Sequence, residues 1–108
     1  MAYSRPRIVA KIKEQLASLE TKSVHTLPYA SFTNLEYFMT VSNAGETKVL
    51  TAVVKIQKIN GGVEHTVSNR IGNVNLSINP KVTGGNFELE LSSQETETLD
   101  VTITRTLV

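Results

Sequence analysis

The chain has no cysteine and no tryptophan, only two histidines and three prolines, and no long apolar run. Without cysteine there is no disulfide, no thiolate nucleophile and no Cys-type zinc site. Burial alone must hold the fold, and nothing points to an oxidising compartment. His25 and His65 stand at no metal-ligand spacing from one another, and both read as structural residues. No segment approaches the roughly 18 apolar residues of a membrane span, and the amino terminus lacks the apolar core of a secretory signal. The expectation is a soluble protein made in the cytoplasm, with no membrane partner, no metal and no cofactor.

Catalytic raw material is equally thin. No serine lies in a nucleophile-elbow setting, and two histidines in strand-rich sequence offer little from which to build a triad. Glu88 and Glu90 point the same way from one strand, ~7 Å apart at ordinary strand rise, which is a spacing a carboxylate pair could use. Their regularly alternating apolar neighbours make them a solvated outer face instead. Gly61-Gly62 and Gly84-Gly85 sit between strands rather than ahead of a helix, so they are turns and not phosphate cradles. Asn75-Leu76-Ser77 matches the glycosylation triplet, but no secretory signal accompanies it. Tyr3, Tyr29, Phe32, Tyr37, Phe38 and Phe87 are scattered and the strands are net acidic, so the sheet is not expected to bind nucleic acid.

What is present is alternation. At 108 residues the chain makes one modest core, and from Phe38 onward apolar and polar residues change places almost without interruption, the signature of half-buried strands. Leu35–Ser42 alternates Tyr37, Met39 and Val41 with Phe38, Thr40 and Ser42. Thr47–Ile59 sets Leu50, Ala52, Val54 and Ile56 on one face. Asn60-Gly61 is the strongest hairpin signal, since both residues accept the positive φ of a type I′ turn. In Val63–Ile71 the presumed inner face, Val63, His65, Val67, Asn69 and Ile71, carries polar residues, which predicts an edge strand or a bulge near Asn69. Strands follow at Asn73–Pro80, Asn86–Ser92 and Thr98–Leu107, and Ser23–Leu27 reads as a short strand or extended linker. Six or seven strands at this spacing, without intervening helices, predict an all-β antiparallel β-sandwich.

The amino-terminal part reads differently. Residues 1–22 carry a surplus of three positive charges, from Arg5, Arg7, Lys11, Lys13 and Lys22 against Glu14 and Glu20, which leaves −2 for the remainder of a chain of net charge +1. Ser4 is a good N-cap and Pro6 is tolerated in a first helical turn. Ile8, Ile12, Leu16 and Leu19 recur at steps of four, four and three, so a short amphipathic α-helix is predicted here. The division expected is a helical arm over residues 1–22 and a β-sandwich over residues 23–108. The arm's stripe covers either a partner or the open end of its own sandwich.

The run from Val24-His25-Thr26-Leu27-Pro28-Tyr29 through Tyr37-Phe38-Met39-Thr40-Val41 is followed by the Lys48–Ile56 strand, the hairpin and the Thr83-Gly84-Gly85-Asn86 turn. With the closing Val101-Thr102-Ile103-Thr104-Arg105-Thr106 strand, this order resembles a β-sandwich module of tailed-bacteriophage virion structural proteins, over roughly residues 24 to 108. The resemblance implies a non-enzymatic component of the virion, made in the host cytoplasm, whose partners are major capsid or tail subunits. It also implies a homo-oligomer, with a trimer as the usual pairing of such modules. The family's long fibrous segment is replaced here by one short arm, and its acid-rich second turn by Asn60-Gly61-Gly62. That form is the one expected of a capsid decoration or cement protein added in many copies. A tail, neck or baseplate adaptor or fibre component is the first alternative. The second is a receptor- or glycan-binding module using the loops at residues 43–46, 60–62 and 93–97. Under the first reading Ile8, Ile12, Leu16 and Leu19 supply apolar contacts to the partner, while Arg5, Arg7, Lys11 and Lys13 complement its acidic groups.

Overall fold

A computed structural model describes the backbone of residues 7–107 and the side chains of residues 11–105. The elements in chain order are β1 (Arg7–Leu16), β2 (Thr21–Pro28), a single 3-10 turn at Tyr29–Ser31, β3 (Asn34–Ser42), β4 (Val49–Ile59), β5 (Gly62–Gly72), β6 (Leu76–Thr83), β7 (Asn86–Ser93) and β8 (Leu99–Leu107). They form two antiparallel sheets, a five-stranded one in the order β1-β8-β3-β4-β5 and a three-stranded one in the order β2-β7-β6. The sequence alternation becomes burial directly. Leu35, Tyr37, Met39 and Val41 of β3, Leu50, Ala52, Val54 and Ile56 of β4, and Leu99, Val101 and Ile103 of β8 face Phe87, Leu89 and Leu91 of β7, all buried. The β-sandwich expected from the pattern is the fold.

The expected amino-terminal helix is not there. Ser4, Arg5 and Pro6 lie outside the described residues, and Arg7–Leu16 is a strand running antiparallel to β8, from Arg7 opposite Leu107 to Leu16 opposite Leu99. Two features of the segment account for the difference. A step of four residues fits a helical stripe and a two-residue strand repeat equally well, so Ile8, Ile12 and Leu16 could not distinguish them. The step of three that favoured a helix ends at Leu19, which lies past the strand, in a turn, at φ 56. Without β1, β8 would expose a row of unpaired backbone groups beside a fully buried inner face. Pairing them outweighs helix propensities, which are worth only tenths of a kcal/mol per residue. Arg7 to Leu16 is thus continuous with the sandwich.

The hairpin and edge readings hold. Ile59 and Gly62 close a two-residue loop with Asn60 at φ 49 and Gly61 at φ 80. β5 is an edge strand, and its register against β4 slips between Thr51 and Val53, opposite Asn69 at φ 52. This bulge inverts the alternation beyond it. Val63 and Val67 pack on the core as expected, but Ile71 turns outward and is 71% exposed. Arg70 instead reaches across to β6, donating Nη2–H to the Leu76 carbonyl at 3.0 Å.

Candidate functional site

Among the described residues, the outer face of the five-stranded sheet is the broad surface whose residues depart from ordinary solvated polarity. Pairing across the strands places Lys11, Thr104, Phe38, Val53 and Ser68 in one row, and Lys13, Thr102, Thr40, Thr51 and Ile71 in the next. Phe38 is 50% exposed, and Val49 and Ile71 are also exposed. Threonine and valine are there because β-branched side chains suit a pleated surface. Phe38 also suits a strand and lies opposite Val53 and Thr104, yet the half of its ring left in water forfeits about 1 kcal/mol or more that burial would supply. At the rim the charges are mostly engaged. Lys55 pairs with Glu36 at 3.8 Å, and Gln15 donates Nε2–H to Asp100 at 3.0 Å. Lys11 and Lys13 are exposed and form no ion pair among the described residues.

The residues expected to contact a partner separate into two faces once β1 is seen as a strand. Ile12 is half-buried against the core and Leu16 is fully buried in it, so both serve their own sandwich. Lys11 and Lys13 project from the opposite side. Leu19 is 60% exposed in the turn after β1, and Arg7 and Ile8 contribute backbone pairs to Leu107 and Thr106. Arg5 lies outside the described residues. The structure therefore brings together the two lysines and adds Phe38, Val49, Val53 and Ile71, of which the alternation put Phe38 on the face opposite Tyr37 and Ile71 on the inner face. The signal was available in Phe38 alone, a large aromatic on the polar phase of a regular alternation.

The sheet edges offer less. Pro28 ends β2, whose register slips between Ser23 and His25, and Pro80 lies within β6. β5 carries its bulge, while β1 carries a bulge between Ile8 and Ala10, Lys11 and Lys13, and the half-buried Glu14 held by Lys22 at 3.1 Å. Proline, bulges, lysines and inward charges are the devices that stop edge strands from recruiting another strand. Contact through a sheet edge is disfavoured at all four.

Two shallow concavities flank the outer face. One of about 400 Å³ is lined by Glu36, Lys55, Gln57, Glu64, His65 and Thr66, the other of about 530 Å³ by Lys13, Glu14, Gln15, Asp100 and Thr102. On the second sheet, Glu90 accepts from Lys81 Nζ at 2.7 Å and from Asn79 at 3.2 Å, while Glu88 accepts from Ser23 Oγ at 2.6 Å. The Lys81 hydrogen bond holds the Glu90 carboxyl below its ordinary range and the Lys81 ammonium above its own. The two carboxylates are thus separately engaged on the outer surface.

Between the sheets lies a polar group that the sequence did not announce. Tyr37 of β3 stands directly opposite Arg105 of β8, and His25 of β2 meets the Tyr37 ring edge-on with centroids 5.9 Å apart. His25 Nε2, Tyr37 Oη and Arg105 Nε are all buried without a hydrogen-bond partner. Burial, and secondarily the Arg105 charge, hold the His25 imidazole below its ordinary value. Burial pushes the Tyr37 hydroxyl up, with Arg105 pulling the other way.

No protein-family model matches the chain, and comparison with curated proteins finds no match. Among the described residues no group of three or more His, Cys, Asp and Glu side chains could hold a metal ion, and no helix is long and apolar enough to cross a membrane.

Proposed function

We propose that this chain is a non-enzymatic structural subunit of a tailed-phage virion, a decoration protein that seats the outer face of its five-stranded sheet on shell subunits in many copies. The observation that carries the reading is the half-exposed Phe38 ring, set among Val49, Val53, Ile71 and threonines and bordered by two lysines free of ion pairs among the described residues. An apolar centre with a basic rim fits a partner surface that is apolar in the middle and acidic at its border. Each contact is modest, and repetition over a lattice makes it effective, because neighbouring sites raise the local concentration of the next. The order of strand and turn motifs resembling phage virion modules supports the same reading.

The test is the number of copies in purified particles, measured by mass spectrometry against the major shell protein. A ratio near one per shell subunit, or one per threefold position, agrees with decoration. A count in single or low double digits moves the protein to the tail, neck or baseplate, and absence from particles ends the proposal.

A further inference from the structure

We propose that the face carrying Phe38 docks in a single orientation, because its β5 corner receives a cationic side chain of the same shell partner whose acidic groups meet Lys11 and Lys13. The inference rests on the docking role proposed above and specifies the partner's chemistry. The charges of the outer face fall at opposite corners of the sheet. Lys11 and Lys13 of β1, against Asp100 of β8, leave one net positive charge at one corner. Glu36 and Glu64, against Lys55, leave one net negative charge at the other. β1 and β5 are the outermost of five strands, ~19 Å apart at ordinary strand spacing. Phe38 lies between the two corners, on the central strand β3.

The acidic corner is concave. Strand register sets Asn34, Gln57 and Glu64 in one row and Glu36, Lys55 and Thr66 in the next, and together they line the cavity of about 400 Å³. Lys55 answers one of the two carboxylates, pairing with Glu36 at 3.8 Å. Glu64 is exposed and forms no ion pair among the described residues. An arriving guanidinium or ammonium neutralises the corner, and the Asn34 and Gln57 carboxamides supply further acceptors beside the Glu64 carboxylate. An anion would be repelled there, and an apolar side chain would strip water from Glu64 without replacing it. The occupant is therefore cationic. Turning the partner by half a turn would set its acidic groups on Glu64 and its cation on the lysines. Like charges facing each other across an interface weaken binding, so the polarity of the face fixes its orientation.

The test is co-sedimentation of the whole chain with particles stripped of it, for the parent, Glu64→Gln and Glu64→Lys chains. Both substitutions make the chain more basic. A chain held only by the general attraction of a basic face to an acidic shell would bind more tightly with each change. Oriented docking predicts the opposite sign. Glu64→Gln is expected to bind about twofold to fivefold more weakly, as loss of an exposed ion pair entails, and Glu64→Lys more weakly still. Thermal unfolding checks that both variants keep the parental fold, as substitution at an exposed edge position should allow. The inference fails if the folded variants bind as tightly as the parent or more tightly, and the docking role then still stands on the parent's own saturable binding. If the parent itself does not bind, the docking role and the orientation fall together.

Discussion

Asn43, in the loop after β3, donates Nδ2–H to the Glu97 carboxylate at 3.1 Å and so ties that loop to the one before β8. The same side chain accepts through Oδ1 from the backbone N–H groups of Thr47 and Lys48, at 3.0 and 3.1 Å. Asn43 is only 5% exposed. Asn43→Ala would strand those amides, and the expected loss is about 2 kcal/mol of unfolding free energy. Glu97→Gln, which keeps an acceptor, should cost less than half as much. Urea denaturation of the two variants checks the order.

Gly72 closes the β5 edge at φ 136, where an added Cβ would run into the Val49 carbonyl oxygen and stand 2.7 Å from the Leu50 Cα. Neither obstacle is a flexible side chain end. Gly72→Ala is therefore expected to destabilise by about 3 kcal/mol or more. Asn69→Gly, at φ 52, should be neutral or slightly stabilising because glycine takes that conformation freely. Thermal unfolding of the pair distinguishes backbone demand from side-chain contact.

The His25 imidazole has its proton affinity depressed in the folded state relative to the ordinary value of 6.5. The unfolded chain then takes up the proton first as pH falls. Stability contributed by neutral His25 is complete above about pH 6.5 and drains away below it, until the folded imidazole titrates as well. Arg105 is the charged group facing it, so protonation would put two cations between the sheets. His25→Phe should flatten the fall of the unfolding midpoint below about pH 6.5, as thermal unfolding followed across pH would show.

Most of the sandwich was legible because one face of nearly every strand is buried. Leu50, Ala52, Val54 and Ile56, and Phe87, Leu89 and Leu91, are all core, as their alternation demands. Asn60-Gly61 and the edge character of β5 followed from backbone chemistry. The amino-terminal strand was not legible, because a four-residue spacing serves helix and strand alike and the deciding fact is the unpaired edge of β8, a tertiary demand. The Tyr37–Arg105 juxtaposition depends on the β3–β8 register, which no local pattern encodes. Lys11 and Lys13 of the outer face were visible as part of a basic segment, and of the two places open to the apolar stripe, a partner or its own sandwich, Ile12 and Leu16 take the second. The apolar half of that face, Phe38 with Val53 and Ile71, emerges only when four strands are laid side by side.

The outer face should be dispensable for folding. Phe38→Ser and the double change Lys11→Glu with Lys13→Glu alter exposed positions, so unfolding free energies are expected to stay within about 0.5 to 1 kcal/mol of the parent chain.

Attachment itself is the most direct measurement: co-sedimentation of the purified chain with particles stripped of it, for the parent, Phe38→Ser and Lys11→Glu/Lys13→Glu chains. The account predicts saturable binding by the parent, at least tenfold weaker binding by Phe38→Ser, about 1.4 kcal/mol, and weaker binding by the double variant whose remainder added salt no longer reduces. Equal binding by all three chains, with their folds intact, would contradict it.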